Sequence, residues 1–313
     1  MKRWQIGWLA AVVLAGAVQA APPAGQKKPA PAGKVKIRPK YVEGRAWRYQ
    51  LKLSGATAWA PAAKGLQWGK MTTDFTFVLL PKAFRDNGSC TFHLIGEHLR
   101  SVGENAEGLF GVDATRQSAR AKIKGKWRPN VPTPLAKPMT LTIGPLGAVR
   151  FGTGLVPIAL FMLPHVDKRF WTTLTAAPLR EVGPGDKWQQ QLHLPVPGSR
   201  GKPLVLKAQW QVLGWRNVKG RRLLAVALTA ELDLKDSQVM LRNGDLIHVS
   251  SGTYEASGEA AWDVAAGALY SAAANQKILI KADRPTPRVF RSVADCSLKL
   301  LKTKSIPPGR KPA

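Results

Sequence analysis

From Trp47 onward the chain alternates apolar and polar residues with a period of two, the pattern of antiparallel strands that bury one face. Trp47, Tyr49, Leu51 and Leu53 share one side of such a strand, and Arg48, Gln50 and Lys52 the other. Phe75, Phe77 and Leu79 repeat the habit, Asp86-Asn87-Gly88 supplies a hairpin turn, and Cys90, Phe92 and Leu94 bring the chain back. Met139, Leu141 and Ile143 alternate with Thr140 and Thr142 before a turn at Gly144-Pro145. Residues 155–163 alone read as a short helix, with Pro157 confined to its first turn.

The strand pattern recurs. Glu43-Gly44-Arg45-Ala46-Trp47 is answered by Pro184-Gly185-Asp186-Lys187-Trp188, and the hairpin at Asn87-Gly88 by one at Lys219-Gly220 between apolar runs at 204–214 and 222–234. Residues 140–149 (TLTIGPLGAV) are answered by residues 260–269 (AAWDVAAGAL). Three echoes in one order point to a duplicated unit longer than a solenoid repeat. The Gly-x-x-Trp that opens each half, with Ala-x-Trp-Asp-Val-x-x-Gly-x-Leu late in the second, resembles exported bacterial proteins built of two β repeats. More distantly the layout is similar to the curved-sheet lipoprotein carriers of the bacterial envelope. The resemblance covers residues 41–283, implies a half-open β-barrel sheltering an apolar ligand, and transfers no functional residues.

The N-terminus changes the picture from fold to address. Lys2 and Arg3 precede a short apolar run at residues 6–18, and small residues close it at Val18-Gln19-Ala20. This is the layout of a secretory signal cleaved after Ala20; the run is too short for a comfortable span. No cysteine follows the cleavage site to carry a lipid. Without Lys2 and Arg3 the formal charge falls from +28 to +26, which predicts attraction to polyanions. Export makes anionic lipid or acidic wall polymer the expected partner, and no nucleic acid is expected. Residues 21–40, rich in Pro, Ala and Lys, read as a disordered basic tether, and residues 302–313 read alike.

Candidate chemistry is sparse. Two cysteines fit no zinc site, and an oxidising compartment leaves Cys90 and Cys296 as a candidate disulfide. His93, Glu97 and His98 are the nearest approach to a metal cluster, but on a strand His98 faces away from the other two. His165, His193 and His248 stand alone. Gly152-Thr153-Gly154 lacks the third glycine and the lysine of a nucleotide loop. Asp186 and Asp263 read as turn and strand-edge residues rather than a glycosidase pair. No metal, cofactor or catalytic set is therefore assigned.

Two surface features remain. Arg120, Lys122, Lys124 and Lys126 alternate with Ala121, Ile123 and Gly125, so one strand would carry a row of cations, with Trp127 and Arg128 following. That row is either an anion-binding ridge or an edge strand guarded by charge. Of eleven tryptophans, Trp47, Trp188, Trp210 and Trp262 fall on inward positions, whereas Trp59, Trp68, Trp127 and Trp171 lie in turn-rich segments as candidate ligand contacts.

The sequence thus predicts a mainly β protein of two related antiparallel curved sheets or half-open barrels with few short helices. Its segments are a signal peptide (1–20), a tether (21–40), β repeat 1 (41–165), β repeat 2 (166–283) and a C-terminal strand with a basic tail (284–313). The leading function is a non-enzymatic periplasmic or extracellular protein that holds a lipid-like ligand, approaches anionic envelope surfaces and touches the membrane peripherally. A structural or adhesive surface protein and an exported hydrolase stand as alternatives.

Overall fold

The computed structural model describes residues 33–38, 40–61, 67–86, 88–105, 108–144, 149–151, 180–194, 204–240, 246–284 and 287–305. The strands in chain order are β1 (Arg45–Pro61), β2 (Gln67–Phe84), β3 (Cys90–Asn105), β4 (Gly108–Thr115), β5 (Ala119–Ile123), β6 (Lys126–Arg128), β7 (Met139–Ile143) and β8 (Val149–Phe151). They continue with β9 (Lys187–Leu194), β10 (Leu204–Val218), β11 (Arg221–Asp233), β12 (Ser237–Met240), β13 (Leu246–Asp263), β14 (Ala268–Arg284) and β15 (Arg288–Ser305).

All fifteen strands belong to one antiparallel sheet, ordered β6-β5-β4-β3-β2-β1-β15-β14-β13-β11-β10-β9, with β7 and β8 beside the start of β3 and β12 beside the start of β13. The expectation of two sheets is corrected here. The last strand, β15, pairs on one side with β1 and on the other with β14, so backbone hydrogen bonds run unbroken from one half of the chain to the other. The sheet is open rather than closed into a barrel, and each half crosses it as a meander in the same direction. Among the described residues there is no helix; the expected helix at 155–163 and the signal peptide lie outside them.

Local chemistry sets the turns. Val218 pairs with Arg221 across Lys219 and Gly220, whose φ values of 50° and 75° are those of a two-residue hairpin loop. Ile123 pairs with Lys126 across Lys124 and Gly125 (48° and 81°) in the same way. The Arg85 amide donates to the Ser89 carbonyl and the Gly88 amide to that of Arg85, closing the β2–β3 hairpin. Halfway along β3 the outer neighbour changes from β7 to β4. Leu135 crosses the strand at that point, and a Cβ on Gly96 would stand 2.6 Å from its side chain, so glycine there admits the crossing loop.

The apolar phases of the strands all fall on one face. One cluster gathers Trp47, Tyr49, Phe75, Phe92 and Leu99 over β1–β5 and β7; Phe92 touches the edge of Tyr41 at 4.7 Å, an arrangement favoured by the ring quadrupoles. The other gathers Trp210, Val226, Leu232, Tyr254 and Ile278 over β10–β14. Trp47, Trp188, Trp210 and Trp262 pack into these clusters, as their alternation predicts.

Part of the expected tether is structured. Val35 bridges to Val182, Ile37 is 3% exposed within the second cluster, the Lys40 amide donates to the Gly267 carbonyl, and Tyr41 packs into the first cluster. Residues 33–38, 40 and 41 therefore lie against the apolar face as a strap. The Lys- and Pro-rich context hides two β-branched side chains with enough area to hold it down.

Candidate functional site

The two faces differ chemically. On the polar face Lys52, Asp74, Arg100, Asp113 and Arg120 stand opposite one another on β1 to β5, a row in which charge alternates at every step. Opposite charges at direct cross-strand positions stabilise pairing and fix register. Arg120 donates to Asp113 at 2.7 Å and His98 lies 3.1 Å from the same carboxylate. Burial alone would raise the Asp113 pKa, but these two partners outweigh it and hold the group below its ordinary value. A groove of about 720 Å³ opens beside this row, where the short Ser54, Ser297 and Ala273 lie between longer neighbours.

On the apolar face the second half of the sheet packs a row of small side chains, Ala208, Ala230 and Ala256, directly opposite one another on β10, β11 and β13 and at most 5% exposed. On one side of the row Trp188 stacks on Trp210 at 5.7 Å, continued by Leu228. On the other, two residues along each strand, are Leu206, Leu232 and Tyr254. The register closes the row with Gln190 on β9 and Gln276 on β14, about 19 Å apart at the usual strand spacing. Gln276 occupies an apolar phase between Ala274 and Ile278 and is wholly buried. Neither atom of its amide has a hydrogen-bond partner, nor do Gln190 Oε1, Trp188 Nε1 and Trp210 Nε1. Each such group costs about 1–3 kcal/mol while it stays unpaired.

The expected site residues are dispersed. The cation row is broken: Lys124 is in the β5–β6 turn and Lys126 on β6, leaving Arg120 and Lys122 together on one strand. Those two lie over the Trp127 ring, at 4.8 and 5.8 Å from its centre, and Arg120 is spent on Asp113. Trp127 is thus engaged by cations on the polar face. Trp59 pairs in register with Gln67 and Phe290, and Trp68 with Ala58. Trp171 lies outside the described residues.

Cys90 and Cys296 are free and buried. Cys296 aligns through Leu53 and Thr73 with Ser101, far along β3 from Cys90. Strand spacing and rise put the two roughly 40 Å apart, well beyond bridging distance. Burial pushes the Cys90 thiol up to about 11 and that of Cys296 higher still. Glu97 accepts from Arg48 at 2.6 Å while His98 faces Asp113; burial first, then Lys82, lowers the pKa of His93. Asp186 accepts from the Gly183 amide, and Asp263 accepts from the Ala266 amide and from Arg221, so both acids serve turns. The loop at 152–154 and His165 lie outside the described residues.

The fold and this site define an open, all-β sheet protein with one charge-laddered and one apolar face. No family model matches the chain, and no curated protein matches it. Among solved structures it is similar to that described as "Lipid-protein interactions in lipovitellin", with 10% identity, a TM-score of 0.44, and coverage of 88% of this chain and 27% of that one. It therefore spans about a quarter of that chain's length. DynF from the dynemicin biosynthesis pathway of Micromonospora chersina shares 9% identity with a TM-score of 0.22, covering 95% of this chain and 97% of that one. An outer membrane channel from Pseudomonas putida F1 shares 8% with a TM-score of 0.24, covering 84% and 97%.

Proposed function

We propose that this protein is exported by its signal peptide and, in the periplasm or outside the cell, holds an apolar, lipid-like ligand against the apolar face of its sheet without catalysing a reaction. The observation that carries the reading is the broad apolar face, where alanines lie between tryptophan, leucine and tyrosine. An apolar face of this breadth offers an extended hydrocarbon dispersion contacts along its length. The half-open barrel of the resemblance reduces here to a sheet that offers one face. The basic segments 21–32 and 306–313 bring it to anionic envelope surfaces, where attraction weakens with salt.

The test is chemical. Protein exported in its native host, or in a bacterial periplasm, is purified without detergent and extracted with organic solvent, and the extract is analysed by mass spectrometry. A stoichiometric apolar compound is the expected result. A bare protein that also fails to bind added hexadecane removes the reading.

A further inference from the structure

We infer that the groove on the polar face is a second binding site, for an uncharged linear glycan that lies across the strands. It is on the face opposite the one assigned to the apolar ligand and does not depend on that assignment. The groove crosses β3, β2, β1, β15 and β14, about 19 Å at the usual strand spacing. Its volume of about 720 Å³ lies over the short side chains of Ser54, Ser297 and Ala273 in the middle of the sheet. Each of these five strands is paired on both sides, so no backbone edge is left for a peptide to extend the sheet. A guest is read by side chains alone.

Charge sets the class of that guest. The chain carries 47 Lys and Arg against 19 Asp and Glu, yet the groove is lined by two of each, Lys52 and Arg100 with Asp74 and Asp295. An anionic polymer drawn to the rest of the surface meets two carboxylates here. A neutral polyol meets acceptors and donors together. Gln50 donates to both Asp74 oxygens at 2.9 Å and fixes that carboxylate, and Ser257 donates to Asn275 Oδ1 at 3.0 Å, leaving the Asn275 amide nitrogen as a free donor. Asp295 has no ion-pair or hydrogen-bond partner among the described residues and offers two acceptor oxygens to hydroxyls.

The register sets its length. One row of the groove, Thr72, Ser54, Asp295 and Asn275, continues over β13, β11, β10 and β9 as Ser257, Thr229, Gln209 and Gln189. Eight adjacent strands thus present hydroxyl, carboxylate or amide groups in line over about 34 Å, with no cation among them. Two residues along the strands, Lys277, Glu255, Glu231 and Lys207 form a charged row instead. A small metabolite would use one end of the neutral path; a linear polymer with hydroxyls on every unit uses all of it.

The experiment titrates the full mature chain with chitohexaose and cellohexaose, and with a galacturonate hexamer as their anionic counterpart, by calorimetry at physiological and at high salt. Asp295→Asn and Ser54→Leu accompany the parent; both positions face solvent, and both variants are expected to keep its urea midpoint. The parent is expected to bind at least one neutral hexamer at both salt concentrations, and more tightly than galacturonate. Loss of the charged acceptor in Asp295→Asn should weaken neutral binding about tenfold or more, and the side chain that fills the groove in Ser54→Leu should abolish it. Failure of both neutral hexamers to bind the parent, or parent-like affinity in either variant, overturns the inference. Tighter binding of galacturonate that falls with salt overturns it too, because the groove would then act as part of a general polycation surface. None of these outcomes bears on hexadecane binding, so the apolar reading stands or fails separately.

Discussion

Replacing Ile37 by alanine tests whether the N-terminal strap is part of the fold. Ile37 is 3% exposed and sits in the second cluster beside Val182 and Val35. Truncation removes three carbons, worth about 0.8 kcal/mol each in transfer alone. The cavity left beneath a rigid sheet raises the total to about 2–5 kcal/mol. With a denaturant slope of roughly 3 kcal/mol per molar urea, the unfolding midpoint drops by about 1 M. Lys36→Ala is the internal control: its ion pair with Glu181 is 4.0 Å long and more than half exposed at both ends, so its loss stays within about 0.5 kcal/mol. The assay is urea unfolding followed by tryptophan fluorescence. A midpoint for Ile37→Ala within about 0.2 M of the parent, as for Lys36→Ala, would mean that the segment swings free and that the docking argument is wrong.

Three further outcomes follow from particular contacts. Gly267 has φ +60°, and a Cβ there would lie 2.3 Å from that of Lys40 and 2.4 Å from the Lys40 nitrogen; Gly267→Ala is expected to lower stability by about 2 kcal/mol or more, and unchanged thermal unfolding would contradict it. Asp113 is held below its ordinary pKa, so its contribution is complete at neutral pH and is lost as pH falls through its depressed value; Asp113→Asn should flatten that part of an acid-unfolding profile, and identical profiles would count against the pairing. The raised thiols of Cys90 and Cys296 stay protonated and slow to alkylate in the folded state; two labels per chain after denaturation without reductant are expected, and a mass two protons light with no label would restore the disulfide.

Much of the strand content was readable because alternation reports which face is buried, and Trp47 to Leu53 or Phe75 to Leu79 show it directly. Hairpins were readable where turn residues are strong formers, as at Asn87-Gly88. The loop at Lys124-Gly125 was missed, although the same Lys-Gly pair marks the hairpin at 219–220, because an alternating Lys-x-Lys run masks a two-residue turn. The joining of two halves into one sheet depends on β15 pairing with β1, a contact between chain ends that no local period encodes. The alanine row was hidden for the same reason, since Ala208, Ala230 and Ala256 become neighbours only through register. One signal was available: Gln276 breaks an apolar phase that runs Ala272, Ala274, Ile278, Ile280.

Which face receives the ligand is decided by contact quenching with a brominated alkane. Trp188 and Trp210 stack on the apolar face, whereas Trp127 lies under Arg120 and Lys122 on the opposite face. Fluorescence of the parent should fall on titration, the response should shrink in Trp210→Phe, and it should persist unchanged in Trp127→Phe. Quenching that vanishes with Trp127→Phe and survives Trp210→Phe would put the guest on the charged face and contradict the account.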